Sequence, residues 1–274
     1  MSSDALPLTL LIVLTEITAG GIWVLAFWQQ RDNAARSFVK LSAAMAFVMA
    51  AITFFVAIGI SVEDDVGGYP LDNGWVTELR VALAVLFGVS GLYAYATLRD
   101  HRGVAGGLAV AGSALGVIAL VFIGLIVSEP TWSFVLTFGV LLLGALAVGA
   151  VSLAMTLGHW YLVTPRLPEA PLREMTGLLV VLIVLQALVI IPAMVLPHDS
   201  VETTVDTPLL ENPFFWLRVG FGLVFPGVLA WMAFDSSGVR AMQSATGLLY
   251  IAMVLVICGE VVGKGLLFVS AIPN

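Results

Sequence analysis

One hydrophobic run near the C-terminus holds an acid and a base that a helix facing lipid could not tolerate. The run spans Leu248–Ser270 and reads LLYIAMVLVICGEVVGKGLLFVS. Glu260 and Lys264 are four residues apart, so a helix places them on one face, one turn above the other. Ionisable side chains at membrane depth need partners or water. We therefore expect this face to point into a helical bundle. Three nearby glycines would let neighbouring helices come close, namely Gly259, Gly263 and Gly265.

The composition places the chain among integral membrane proteins. Hydrophobic residues make up 60% of the chain and charged residues 11%, and the mean hydropathy is +1.07. Soluble domains carry about 25% charged residues. The single cysteine, Cys258, excludes an intrachain disulfide, a cysteine-based zinc site and a cysteine-held iron–sulfur cluster. The net charge of −7 does not suggest a nucleic-acid partner. The hydrophobic composition predicts that the chain is surrounded by membrane lipid.

Eight hydrophobic runs are long enough to cross a bilayer as helices. We place them at about 7–28, 41–61, 78–98, 106–128, 132–160, 176–196, 214–234 and 246–270. The N-terminus lacks a basic region before the first run, so we expect a first span rather than a cleaved signal peptide. Pro192 and Pro226 are expected to kink helices six and seven. The predicted fold is an all-α bundle of eight transmembrane helices, forming a single domain over residues 1–274.

The charges of the connections predict the orientation. Eight basic residues follow odd-numbered helices: Arg31, Arg36, Lys40, Arg99, Arg102, Arg166, Arg173 and Arg240. Acidic residues follow even-numbered helices: Glu63, Asp64, Asp65, Asp72, Glu129, Asp199, Glu202, Asp206 and Glu211. By the positive-inside rule, the odd connections are cytoplasmic and both termini are periplasmic.

Six charged residues remain near the outer ends of the predicted helices, three of them basic and three acidic. They are Arg80, Arg218 and Lys264, with Glu16, Glu78 and Glu260. One interpretation is a set of compensated pairs that lock the helices together, with Glu78 and Arg80 merely at the interface. The other is a proton-exchanging pocket for a polar head group. A quinol fits such a pocket because its oxidation releases two protons, which carboxylates can receive.

Short patches of the sequence resemble a family of membrane anchors. They are LIVLTEITAGGIWVL in helix one, TELRVALAVLF in helix three, PTWSFVLTFGVLLLG in helix five, FFWLRVGFGL in helix seven and GEVVGKGLLF in helix eight. In order and spacing they are similar to the membrane-anchor subunits of dimethyl sulfoxide reductases, within the NrfD/polysulfide reductase superfamily. The resemblance covers roughly the whole chain.

This resemblance implies eight helices with periplasmic termini and a menaquinol site near the outer face. It also implies a complex with an iron–sulfur subunit and a molybdenum catalytic subunit, in a bacterial or archaeal cytoplasmic membrane. The family's acidic residue at the start of helix three falls on Glu78 and its helix-seven arginine on Arg218. Its terminal motif of glycine, glutamate and a basic residue falls on Gly259, Glu260, Gly263 and Lys264.

The sequence departs from the family just after helix two. The family has a histidine there, whereas this chain reads GISVEDDVGGYPLDNG. A quinol site would then use Glu78 and another acceptor, such as Asp72 or Tyr69, or would be degenerate. We take Glu78 and Glu260 as candidate proton acceptors and expect the head group to be bound by Glu16, Arg80, Arg218, Lys264, Tyr69 and Asp72.

The three histidines bear on haem binding. His101 falls in an inner connection, His159 near the inner end of helix five, and His198 in an outer connection. A haem b held by two histidines needs both imidazoles to face each other inside the bundle. We therefore expect no haem b and no metal site. His159 is interpreted as an interfacial residue beside Trp160 and Tyr161, or as a contact with a soluble subunit.

Other polar and small residues are interpreted as packing features. Gln186 predicts a hydrogen bond between helices, and glycines in helices four and five predict close packing: Gly112, Gly116, Gly144 and Gly149. Three classes of function remain: a quinol-interacting anchor of a respiratory oxidoreductase, a purely structural anchor, and a transporter of small solutes or ions. The transporter is disfavoured because the two halves show no inverted repeat and no matched pair of broken helices.

Overall fold

The structure, a computed structural model, describes residues 5–30, 35–128, 133–164, 166–195 and 209–270. Within these residues the chain forms eight helices that are long and apolar enough to cross a membrane. They are α1 (Ala5–Gln29), α2 (Arg36–Gly59), α3 (Val76–Leu98), α4 (Arg102–Ser128), α5 (Phe134–Val163), α6 (Ala170–Val195), α7 (Pro213–Gly238) and α8 (Met242–Ser270). The predicted all-α bundle of eight helices is confirmed.

Most helices extend beyond the hydrophobic runs that predicted them. The sixth helix, for example, starts at Ala170 rather than near residue 176. The added turns carry charged residues such as Arg173, which a helix can hold where it leaves the apolar layer. Helix α6 passes Pro192 as a continuous helix, whereas α7 changes its winding before Pro226.

Helix α1 lies at the centre of the bundle, in contact with α2, α4, α5 and α8. Its contact with α5 is the closest: a Cβ on Gly20 would lie 1.7 Å from the carbonyl oxygen of Ala145, and one on Gly149 would lie 2.3 Å from the backbone of Gly20. A Cβ on Gly116 would lie 2.9 Å from Ala19. Small residues therefore let the helix backbones meet, as predicted. Helix α3 packs against α2 and α4 at the periphery.

A small hairpin covers the connection between α2 and α3. Strands β1 (Asp65–Val66) and β2 (Tyr69–Pro70) are antiparallel, and Gly67 and Gly68 join them with φ of 62° and 86°. Positive φ at both central residues is what a tight two-residue hairpin turn requires, and glycine adopts it without strain. The hydroxyl of Tyr69 donates a hydrogen bond of 2.6 Å to the carbonyl of Val127, which ties the hairpin to the end of α4.

The two ends of the bundle differ in charge. At the end we name the basic end, Lys40 near the start of α2 pairs with Asp100 of the α3–α4 connection, at 2.7 Å. At the same end, Arg240 of the α7–α8 connection lies 3.4 Å from Glu169 of the α5–α6 connection. Trp28, next to the α1–α2 connection, lines a small cleft with Leu167 of the α5–α6 connection, so the two halves share this end.

The opposite end, the acidic end, holds the hairpin, the beginning of α1 and the end of α8. Which end faces the cytoplasm stays a prediction from the loop charges. Some residues used in that prediction lie outside the described residues: Arg31, Glu129, Asp199, Glu202 and Asp206, together with His198.

Candidate functional site: a buried chain of charges

Four charged side chains are buried between the helices in the half of the bundle nearer the acidic end. Glu16 and Glu260 have no exposed surface, and Arg218 and Lys264 are each 2% exposed. They come from α1, α7 and α8. Charged residues are almost never fully buried unless they are paired. Their arrangement is therefore the strongest candidate for a functional site in the described part of the chain.

The four side chains form one continuous chain of ion pairs. Lys264 Nζ lies 3.0 Å from Glu16 Oε1 and 3.1 Å from Glu260 Oε2. The other oxygen of Glu260, Oε1, lies 3.0 Å from Arg218 Nη2 and accepts a 2.7 Å hydrogen bond from Gln186 Nε2 of α6. Acids and bases alternate, and two of each leave the chain of charges neutral.

Helix α7 reaches this position through a change of winding. It runs as an α-helix over Pro213–Leu217, as a π-helix over Arg218–Val224 and again as an α-helix over Phe225–Gly238. Pro226 lacks an N–H and its ring would collide with the carbonyl four residues earlier in a regular helix. The wider π turns avoid this collision, and Phe225 N donates to Gly220 O. Arg218, at the start of the π segment, is buried.

Glycine lets the surrounding backbones close around the charges. A Cβ on Gly259 would lie 2.3 Å from the Cα of Gly222, so α7 and α8 touch backbone to backbone. On α5, a Cβ on Gly144 would lie 2.7 Å from Glu16 Oε1 and 2.9 Å from Glu260 Oε2. Any larger residue at these positions would displace the charged side chains or the helices themselves.

The two carboxylates differ in how firmly they are held. Glu260 meets the guanidinium of Arg218, the ammonium of Lys264 and the amide of Gln186. Glu16 meets only Lys264, and its Oε2 has no hydrogen-bond partner within the described residues. A carboxylate with three donors is fixed as an anion, whereas one with a single cation can exchange a proton more readily. Glu16 is therefore the better placed of the two to gain or lose a proton.

No known protein-family model matches this chain, and no curated protein sequence matches it. Among the described residues, no three or more His, Cys, Asp and Glu side chains are grouped to hold a metal ion. The functions implied by the resemblance in short patches therefore remain expectations. The geometry of the buried charges is the physical basis on which they can be judged.

Glu78 was expected to share this polar centre, and the structure places it elsewhere. It lies exposed in the first turn of α3. Glu16, by contrast, lies about 16 Å along α1 from its first described residue, at 1.5 Å per residue. Because α3 packs on α2 and α4 at the edge of the bundle, Glu78 is also displaced sideways from α7 and α8. Its expected role as a proton acceptor stays a prediction.

Arg80 is likewise outside the buried chain. Its Nε donates to the carbonyl of Ala57 at 3.0 Å, and its Nη2 donates to that of Ile60 at 2.6 Å. These carbonyls lie at the C-terminal end of α2, where helical carbonyls lack partners and carry partial negative charge. Arg80 therefore caps the end of α2 and is not part of the buried chain of charges, and its expected contact with a head group stays a prediction.

Tyr69 and Asp72 have structural contacts in the hairpin region. Tyr69 is fully buried, packs edge-on against Phe268 and donates its hydroxyl to Val127. Asp72 is exposed, and its carboxylate accepts from Gly74 N at 3.0 Å. Neither is part of the buried chain of charges, and whether either contacts a head group remains a prediction.

Two contributors to the site did not appear among the predicted site residues. Gln186 was expected to bond between helices, which the structure confirms, but its partner is Glu260 itself. Gly144 was expected at a packing surface, and the atoms packed against it are the two carboxylates. Gln186 could have been predicted as a site residue, because it is a single amide within an apolar run. The position of Gly144 depends on the rotation of α5, which the sequence does not specify.

The described histidines lie near the basic end, away from the buried charges. His159 is exposed on α5, and its Nδ1 lies 3.1 Å from the hydroxyl of Tyr250. His101 is exposed between α3 and α4. Tyr161, expected at the interface with His159, is instead buried and donates to the carbonyl of Pro168.

Proposed function

We propose that this chain is the membrane-anchor subunit of a respiratory oxidoreductase complex. In this proposal it oxidises or reduces a quinone, with menaquinone as the expected form, near the outer face of a bacterial or archaeal cytoplasmic membrane. An iron–sulfur subunit exchanges the electrons, and a molybdenum subunit carries out the terminal reaction. The observation that supports the proposal most is the buried chain from Glu16 to Arg218, which joins a weakly held carboxylate to a fixed one.

A bound quinol supplies two electrons and two protons on oxidation to the quinone. In the proposal the electrons leave to the iron–sulfur subunit, and the protons leave through carboxylates. Glu16 can accept a proton because Lys264 still has Glu260 as a counter-ion when Glu16 becomes neutral. Releasing that proton restores the pair. Reduction of a quinone would use the same groups in the reverse order.

The side chains around the buried charges offer contacts that fit a quinone head group. Arg218 Nε and Nη1 and Gln186 Oε1 have no hydrogen-bond partners within the described residues. An arginine N–H can donate to a quinone carbonyl, and an amide oxygen can accept from a quinol hydroxyl. The backbone of α5 at Gly144 lies directly against both carboxylates. The ring is therefore proposed to bind on the α6–α7 side rather than between Glu16 and Glu260.

The orientation of the proposal follows from the loop charges. The basic end would face the cytoplasm and the acidic end the periplasm, with both termini at the periplasmic side. The buried charges would then lie in the outer half of the membrane. Protons released there would leave toward the periplasm.

The test is quinol oxidation by the complex purified with its native partners, using a reduced menaquinone analogue. We expect Glu16→Gln to abolish turnover while leaving assembly intact, because the amide keeps the packing but cannot accept a proton. Glu169→Gln is the matched control, since it removes an acid from a half-exposed ion pair at the basic end and should change nothing. Wild-type turnover in Glu16→Gln would rule out the proposed proton route.

A structural anchor without quinone chemistry is the second candidate. The charge balance and complete burial of the four side chains favour it, since paired ions can fix which helices meet. In that case Glu16→Gln would lower the yield of folded protein, and no quinone would be retained by the purified complex. A transporter has no specific observation in its favour among the described residues.

The haem expectation has a direct test of its own. A reduced-minus-oxidised spectrum of the isolated subunit should lack a stoichiometric b-type band. If such a band is present, the argument from the positions of the histidines is wrong, and electrons could pass through this chain itself.

A further inference from the structure

A second polar feature lies at the basic end, far from the buried chain of charges. It is an open cavity of about 380 Å³ bordered by the ends of α1, α2, α3 and α4. Three cationic side chains and one carboxylate line it, with two amides and a hydroxyl: Arg36, Lys40, Arg102, Asp100, Gln29, Gln30 and Thr97. Its size is that of a small-ligand site.

The lining carries an excess of positive charge. Lys40 and Asp100 pair at 2.7 Å, and this hydrogen bond from Lys40 holds the pKa of Asp100 below its usual value. Asp100 therefore stays ionised and neutralises one cation. Arg36 and Arg102 bring the net charge of the described lining residues to +2, counted as three cations and one carboxylate. An occupant of this cavity should be an anion.

The wall of the cavity is kept open by small residues. Ala26 of α1 and Ala105, Gly106 and Ala109 of α4 line it. A Cβ on Gly106 would meet no atom within 4 Å, so this glycine borders free space rather than a packed neighbour. Gln29 is fixed in the wall by a hydrogen bond from the hydroxyl of Tyr93. The space and the polar groups around it are thus held by the fold.

We propose that this cavity binds the phosphate group of an anionic phospholipid. It lies where the membrane-crossing helices end, which is the level of lipid head groups. Arginine presents parallel N–H donors that match phosphate oxygens, and two arginines line this cavity. Leu41, Leu98 and Val104, close in sequence to the lining residues, are exposed apolar side chains that acyl chains can cover. These flanking residues favour a lipid over free phosphate.

The inference does not depend on quinone chemistry, and its test is lipid binding by the purified full chain. The protein is placed in nanodiscs or detergent with dioleoyl phosphatidylglycerol or dioleoyl phosphatidylcholine, and retained lipid is counted by native mass spectrometry. We expect preferential retention of phosphatidylglycerol. In Arg36→Gln/Arg102→Gln, its affinity should fall by about tenfold or more, because each lost cation near a lipid surface weakens binding by about 1 kcal/mol.

Two further variants distinguish lipid binding in the cavity from attraction of lipid by the general surface charge. Arg99→Gln/Arg166→Gln removes the same charge from the same end without touching the lining, and it should bind lipid as the wild type does. Gly106→Leu fills the cavity without changing any charge. It should lose lipid binding while the chain stays folded, because leucine is a better helix former than glycine and meets open space here.

Three results would overturn the proposal. The first is equal retention of the two lipids by the wild type. The second is equal loss in the lining variant and in the surface control, which would show that only the overall charge matters. The third is full thermal stabilisation by sodium phosphate with no further effect of phosphatidylglycerol, which would assign the cavity to free phosphate.

Discussion

The ammonium of Lys264 lies 3.0 Å from the carboxylate of Glu16, joining the last helix of the chain to the first. This contact joins α1 and α8, which are the most distant helices in the sequence. Lys264 also holds Glu260 at 3.1 Å, so one cation serves two acids. The energetics of the site therefore depend on pairs of residues rather than on any single one.

Removing Lys264 alone should be more damaging than removing it together with Glu16. Lys264→Met leaves Glu16 buried without a cation, which costs about 3–5 kcal/mol. Lys264→Met/Glu16→Gln removes both charges, while Glu260 keeps Arg218 and Gln186. We expect the double variant to recover most of the lost thermal stability in detergent. If the two substitutions were simply additive, the ion pair would have no energetic role.

The contact between α7 and α8 should not tolerate a methyl group. Gly259→Ala would place a Cβ 2.3 Å from the Cα of Gly222, and neither backbone can yield without moving a helix. We expect a loss of about 1–3 kcal/mol or more in unfolding free energy. Gly247→Ala is the control on the same helix, because a Cβ there meets no atom within 4 Å. That control should be neutral or slightly stabilising.

The Lys40–Asp100 pair should give a pH-dependent contribution to stability. The hydrogen bond from Lys40 lowers the pKa of Asp100 in the folded chain, so the contribution is present above the ordinary pKa of the carboxyl group. It should be lost as the pH falls through the lower folded-state value. The measurement is the difference in melting temperature between wild type and Asp100→Asn at pH 7 and at pH 3. Asparagine tolerates the positive φ of 61° at this position.

The expected difference is small, because this ion pair is exposed and solvent screens it. Lys40→Gln should reduce the pH dependence of this difference, because Lys40 is the largest cause of the lowered pKa of Asp100. If the difference instead persisted unchanged at pH 3, another group would be responsible for it.

Tyr69→Phe should separate a structural role from a role in head-group binding. The hydroxyl of Tyr69 donates 2.6 Å to the carbonyl of Val127, and its loss should cost about 1 kcal/mol, the net value of a typical hydrogen bond. Thermal unfolding measures this loss. Quinol turnover, at a temperature where the wild type and Tyr69→Phe are both folded, measures the role in head-group binding. Equal stability of the two proteins would show that the hydroxyl does not support the hairpin.

Labelling from the two sides of the membrane tests the orientation. In a Cys258→Ser background, single cysteines are placed at Gln30 of the basic end and at Asp72 of the acidic end, both of which are exposed. An impermeant thiol reagent added to intact cells should label Asp72→Cys and not Gln30→Cys. Labelling of Gln30→Cys alone would invert the predicted topology.

The sequence by itself determined the class of protein and the number of helices. Eight apolar runs of membrane length leave few other folds, because backbone polar groups in lipid must be bonded within each segment. It also grouped six charged residues near the outer ends of the helices, of which four are buried and paired in the structure: Glu16, Arg218, Glu260 and Lys264. The basis for grouping them was the cost of a charge at membrane depth, which requires a partner or water.

Only the tertiary structure decided which helices share those charges. Glu78 and Arg80 fall at the edge because α3 packs on α2 and α4, a matter of lateral helix order that hydropathy does not encode. Gln186 and Gly144 join the site because of the rotation of α6 and α5 about their own axes. Small residues permit many helix contacts, and the choice among them depends on the fit of whole helix surfaces, which no single segment contains.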